Sequence, residues 1–134
     1  VRKMWVPIQI NENSAEPLYH QIETQLRTLI VSEQISENTL LPSIRELAAS
    51  LNCSVITIRR VYQDLEGEGL LRTRQGTGTF VATVDQVERN EYRRAVVQEA
   101  MEAAVNVGLS VQYGKEDMTS LFLEVLKQKY EPEA

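Results

Sequence analysis

The sequence predicts a mainly α-helical chain with one small β-hairpin, and three observations carry that expectation. Apolar residues recur at helical spacing in five separate stretches. Two of those stretches are divided by only three residues, Asn52-Cys53-Ser54. A glycine-rich tetrapeptide, Gln75-Gly76-Thr77-Gly78, then separates two short runs whose threonines suit extended backbone.

Taken in order, Met4–Ile10 alternates partly around Pro7 and reads as a short edge strand or an extended arm. Ser14 is the expected cap of a first helix entered through Pro17. Leu18, Ile22, Leu26, Leu29 and Ile30 form its buried stripe, and Glu23 with Arg27 reads as an i,i+4 pair on its wet side. After Pro42, Ser43 and Glu46 have capping-box spacing, and Ile44, Leu47, Ala48 and Leu51 line a second helix. Ser54 caps the third, which buries Ile58, Val61, Tyr62 and Leu65 and ends at Gly67 and Gly69. Two short helices joined so tightly form a helix-turn-helix. Leu70–Arg74 and Thr79–Thr83 are the expected strands of the hairpin that follows, in the position called a wing. From Asp85 the pattern is helical again, expected to break at Gly108-Leu109-Ser110 before a last helix through Met118, Leu121, Phe122, Val125 and Leu126.

Composition limits the function. The 134 residues suit one domain with an appendage, not a large multi-domain enzyme. The formal net charge of −5 is unevenly spread. Residues 1–84 hold 8 Lys/Arg against 9 Asp/Glu, and residues 85–134 hold 6 against 10. Arg45, Arg59, Arg60, Arg72 and Arg74 therefore gather in the less acidic part. One His and one Cys leave no visible nucleophile–base pair, so no catalytic, metal or cofactor site is expected. His20 reads as a surface or packed histidine, Cys53 as a partly buried turn residue, and Glu116-Asp117 as helix-dipole capping. No signal peptide or membrane-spanning run is visible, which leads to the expectation of a cytoplasmic protein. Val1-Arg2-Lys3 precedes Met4, and the sequence leaves open whether those three residues are native.

The polar head of the third helix is the first candidate site. A major groove admits one α-helix and is read by short polar side chains and arginines. Ser54, Thr57, Arg59 and Arg60 stand there, opposite the buried face. The same residues also suit an ordinary solvated helix start. Arg45 opposes the dipole of its own helix, which fits either a contact to DNA phosphate or a salt bridge to Glu46 or Glu66. The tip Gln75-Gly76-Thr77-Gly78, flanked by Arg72 and Arg74, suits a minor groove or backbone, yet alone it is only a turn. It is no nucleotide loop, since no Gly-Lys-Ser/Thr follows.

In this order, the pieces resemble the winged helix-turn-helix domain of the GntR family of bacterial transcription regulators, in its short YtrA-like branch. The resemblance begins at Pro17-Leu18-Tyr19-His20-Gln21-Ile22 and continues through Leu41-Pro42-Ser43-Ile44-Arg45-Glu46-Leu47-Ala48. It includes Thr57–Leu70 and closes on Gly76-Thr77-Gly78-Thr79-Phe80-Val81, about half the chain. It implies a sequence-specific regulator, a repressor on a palindromic double-stranded DNA operator, with no enzymatic activity. It also implies that Arg45 meets phosphate or a nearby base, that Ser54, Val55, Thr57 and Arg59 open the recognition helix, and that Gln75 and Gly76 enter the minor groove. Relatives often carry polar or basic residues where this chain has Val55 and Ile56. Val55 is read as facing a thymine methyl, and Ile56 as packing inward or lying against sugar. Where relatives favour glycine after the first helix, this chain has Glu33, and Asn38 is expected in the left-handed region. The competing function is a winged-helix adaptor that binds protein in place of DNA.

On this reading residues 11–84 are the DNA-binding domain and 85–134 a helical dimerisation region. The resemblance implies a homodimer, and the chemistry agrees. Val96, Val97, Ala100, Met101 and Ala104, with Leu121, Phe122 and Val125, make more apolar surface than one short helix covers. The alternative is a cap packed on its own winged domain. No residue set defines a small-molecule effector.

Overall fold

A computed structural model describes residues 6–131. Val1-Arg2-Lys3 and Met4 lie outside the described residues, and Val6–Ile10 forms no strand. Here Gln25 stands in for a partner strand: its amide accepts from Gln9 N at 2.9 Å and donates to Gln9 O at 2.7 Å.

Helix α1 (Leu18–Val31) starts from Pro17 and has no side-chain cap. The expected cap, Ser14, instead accepts from Glu16 N in a local turn. Proline already fixes the extended entry at φ −56°, so the N-cap lies at Pro17, three residues beyond Ser14. Ile22, Leu26 and Ile30 are fully buried, as their spacing requires. Glu23 is not on the wet side. It is 7% exposed, because α3 covers that flank, and Arg27 reaches past it to Glu68 at 2.6 Å while holding Glu23 at 3.4 Å.

Helix α2 (Ile44–Leu51) carries the expected capping box between Ser43 and Glu46 and ends on Asn52 in the left-handed region at φ 54°. Helix α3 (Val55–Gly67) starts two residues after Cys53, capped by Ser54, whose Oγ accepts from Thr57 N at 3.1 Å. The buried Tyr62 hydroxyl donates to Pro42 O at 2.7 Å and so ties α3 to the entrance of α2. Burial, followed by the nearby Glu46 carboxylate, pushes that phenol above its ordinary pKa. Between α1 and α2, Glu33 and Asn38 both take left-handed backbone, at φ 64° and 66°.

The wing is narrower than expected. Strand β1 (Leu71–Arg74) pairs antiparallel with β2 (Gly78–Val81), with Arg72 opposite Phe80 and Arg74 opposite Gly78. Ala82 and Thr83 lie beyond the strand. Residues 38–41 run along the other edge of β2: Asn38 N donates to Val81 O at 2.8 Å, and Leu41 N to Thr79 O at 2.9 Å. This edge sets the entrance of α2 beside the wing.

The chain divides into two units, at Asn90 and Glu91. The first includes the opening of α4 (Gln86–Ser110), where Arg89 is 3% exposed. The second comprises the rest of α4, a turn at 111–114, and α5 (Lys115–Tyr130). Gly108 does not break α4, which continues to Ser110. The turn comes later, at Gln112 with φ 57°. A Cβ on Gly108 would lie 2.6 Å from Met118 Sδ, so glycine here admits the start of α5. From Glu91 to Glu131, Gly108 is the single buried residue.

Candidate nucleic-acid interface

The starts of α2 and α3 and the wing tip meet around a cleft of about 380 Å³. Arg45 and Glu46 line one wall, Val55 and Arg59 another, and Thr77, Gly78 and Thr79 the third. Three segments separated in sequence thus place two arginines at one opening.

Neither arginine is spent internally. Arg45 and Arg59 are exposed and have no ion pair or hydrogen bond among the described residues. The salt bridge from Arg45 to Glu46 or Glu66 is therefore not formed. Glu46 serves the capping box, and Glu66 accepts from Thr73 Oγ1 at 2.7 Å. An unpaired guanidinium at the positive end of α2 is electrostatically unfavourable in isolation, and an incoming anion relieves it.

The other candidates divide into those with no carboxylate or hydroxyl partner and those already engaged by a neighbouring side chain, though still reached by solvent. Arg60 stacks 3.6 Å from the Tyr19 ring centroid and pairs with Asp64 at 3.9 Å, so α3 and α1 occupy it. Ser54 and Thr57 are hydrogen-bonded to each other through their hydroxyls at 2.8 Å, which makes them first a helix start. Ile56 does not pack inward: it is 74% exposed, whereas Val55 is half-buried in the cleft wall. In the wing, Arg72 and Arg74 lie 5.9 and 5.8 Å from the Phe80 ring centroid. Arg72 also donates to Asn38 Oδ1 at 3.4 Å, and among the described residues neither arginine pairs with a carboxylate. Gln75 and Gly76 form the exposed tip, with Gly76 at φ 80°, a conformation in which a side chain is strained.

Sequence reasoning missed Thr79 and Ser43 as parts of this cleft and Tyr19 as the platform for Arg60. The small residue directly after Gly78 was a signal for Thr79. Nothing local marks Tyr19, which meets Arg60 only after α1 packs on α3. Outside the cleft, His20 is exposed beside Glu16, and burial pushes the half-buried Cys53 thiol up from its ordinary pKa. Among the described residues no cluster suits a metal ion, and no helix is long and apolar enough to cross a membrane.

Three helices with a hairpin after the third, and arginines gathered where helix and hairpin meet, define a winged helix-turn-helix protein. Residues 18–81 match the profile of the bacterial regulatory proteins of the gntR family. Over 98 residues the chain is 30% identical to the HTH-type transcriptional repressor YtrA of Bacillus subtilis, covering 73% of this chain and 75% of that one. The chain belongs to the GntR family. A GntR family transcriptional regulator from Listeria monocytogenes superposes with a TM-score of 0.73 at 25% identity, over 84% of this chain and 97% of the other. AraR(DBD) in complex with operator ORX1 superposes with a TM-score of 0.51 at 29% identity, over 59% and 99%.

Proposed function

We propose that this protein is a transcription regulator that binds double-stranded operator DNA through residues 11–84. The observation that carries the reading is the pair of unneutralised arginines, Arg45 and Arg59, at one cleft with the wing tip beside them. In this arrangement the head of α3 enters the major groove, Arg45 holds phosphate, and the Gln75–Gly76 tip with Arg72 and Arg74 follows the neighbouring minor groove. Arg59 is long enough for a bidentate contact to guanine. Arg60 serves by holding α3 against Tyr19. The named relative YtrA is a repressor, and repression is the regulatory sense proposed here. Such a protein works in the cytoplasm, where the bacterial chromosome lies.

Residues 85–134 are proposed to form the dimer contact. Val96, Val97, Met101, Leu121, Phe122 and Val125 are 40–51% exposed, and Ala100 and Ala104 are exposed with them. With Gly108 the single buried residue from Glu91 to Glu131, this part of α4 and α5 does not cover its own apolar side chains. A stable interface takes about 800 Å² per partner, and a second copy supplies it. Two copies present two recognition helices, matching a palindrome whose half-sites lie about 34–36 Å apart or a multiple of that.

Selection from a random DNA pool, followed by binding measurements at 50–200 mM salt as orders of magnitude for the titration, tests this reading. An inverted repeat should emerge, with affinity falling steeply as salt rises. Arg45→Ala should weaken all sequences alike, and Arg59→Ala should relax preference at one base pair. Recovery of no preferred sequence, or binding indifferent to salt and to both substitutions, refutes it.

A further inference from the structure

Between Pro17 and Val84, Ile56 is the one large hydrophobic side chain left exposed, at 74%. It belongs to an outward stripe of α3, Ile56, Arg59, Arg60 and Gln63, at helical spacing opposite Ile58, Val61 and Leu65. The polar groups nearest to it are already engaged. The Ser54 and Thr57 hydroxyls bond each other, and Arg60 is turned back onto Tyr19 and Asp64. What the leading turn offers outward is therefore an aliphatic surface, with the free Arg59 one turn behind it.

We infer that Ile56 is a specificity-determining residue that reads the 5-methyl group of a thymine in the major groove, beside the base edge addressed by Arg59. The inference rests on the proposed DNA-binding function. Its chemistry is direct. Thymine is the one base that presents a methyl group on the groove floor, and apolar side chains recognise it by excluding water. A β-branched residue in a helix has one strongly preferred χ1 rotamer, so Ile56 gives up little conformational freedom on contact. Ile56 supplies no core packing, which leaves its aliphatic surface free for a base edge without cost to the fold. Val55, half-buried in the cleft wall, stands one position to the side.

The experiment replaces each thymine of the selected half-site in turn by deoxyuridine, which removes only the methyl group. Binding is followed by fluorescence anisotropy for the full chain and for Ile56→Ser and Ile56→Val. At one thymine per half-site, deoxyuridine should weaken the unaltered protein about fourfold, the equivalent of burying about one methyl group. Ile56→Ser should bind both forms equally, with an unchanged melting midpoint because Ser and Ile have similar helix propensities at an exposed site. Ile56→Val should keep most of the discrimination. Equal binding of thymine and deoxyuridine by the unaltered protein at every position overturns the inference while leaving DNA binding intact. So does discrimination that survives in Ile56→Ser. Failure of the parent reading looks different: no sequence is enriched and no salt dependence is seen.

Discussion

Arg89 gives the sharpest test of how the first unit is held together. Its Nη2 donates to Glu37 Oε1 at 2.8 Å, and its Nη1 to Ile30 O and Val31 O at 3.2 and 3.3 Å. The guanidinium thus sits against the last carbonyls of α1, the negative end of that helix. Glu37 Oε1 also accepts from Val84 N at 3.2 Å, while Arg89 Nε finds no acceptor among the described residues. Exposure differs between the two partners. The Arg89 side chain is 3% exposed and Glu37 35%. Arg89→Met keeps the aliphatic stem and leaves Glu37 able to turn to water. It loses charge-assisted hydrogen bonds, about 2 kcal/mol. Glu37→Ala strands a buried cation, with only Glu33 at 3.5 Å as a weaker counter-charge. That costs about 3 kcal/mol, the low end for a broken buried pair, because Glu37 was partly solvated. With the cation gone, removing Glu37 costs only its bond from Val84 N, about 1 kcal/mol, so the double variant should lie at about 3 kcal/mol. Urea unfolding followed by circular dichroism measures all four proteins. Additive losses, with the double variant near about 5 kcal/mol, would refute the assignment of Glu37 as the counter-ion.

Two further outcomes follow from the same fold. Gly76 and Gly78 both have positive φ, but a Cβ at Gly76 meets open space, whereas at Gly78 it lies 2.9 Å from Leu40 Cδ1. Each alanine variant should lose about 1–3 kcal/mol, with Gly78→Ala the worse, and equal melting midpoints would remove the close approach as a cause. Burial first, and then the adjacent Asp64 carboxyl, raises the Glu23 pKa above its ordinary 4.5 against the pull of Arg27. The folded protein therefore holds this proton more tightly than the unfolded chain. Its contribution is fully present below pH 4.5 and fades as pH climbs through the raised value. Glu23→Gln stays neutral, so its urea midpoint relative to the unaltered protein should improve from pH 4.5 upward; a difference that ignores pH would exclude this cause.

The three-helix and hairpin order was readable because it depends on short-range signals. The Ser43–Glu46 box, the Ser54 cap and the apolar period of α3 each act within a turn or two of helix. The resemblance from Pro17 to Val81 then singled out the face that we propose to meet DNA. Local cues failed where two of them competed. Ser14 had the chemistry of a cap, but Pro17 set the entry angle; Gly108 had the chemistry of a breaker, but its missing side chain served a close approach.

By itself the sequence determined the order of the elements, the family and where the arginines stand along the chain. Only the tertiary structure decided which charges are free. Arg27, Arg60 and Arg89 are held by Glu68, by Tyr19 with Asp64, and by Glu37, across 41, 41 and 52 residues for the Arg27–Glu68, Tyr19–Arg60 and Glu37–Arg89 pairs. Arg45 and Arg59 have no such partner among the described residues. The physical reason is range: helix and turn preferences are settled by neighbours along the chain, whereas the pairing of a charge depends on whatever surface the fold brings against it.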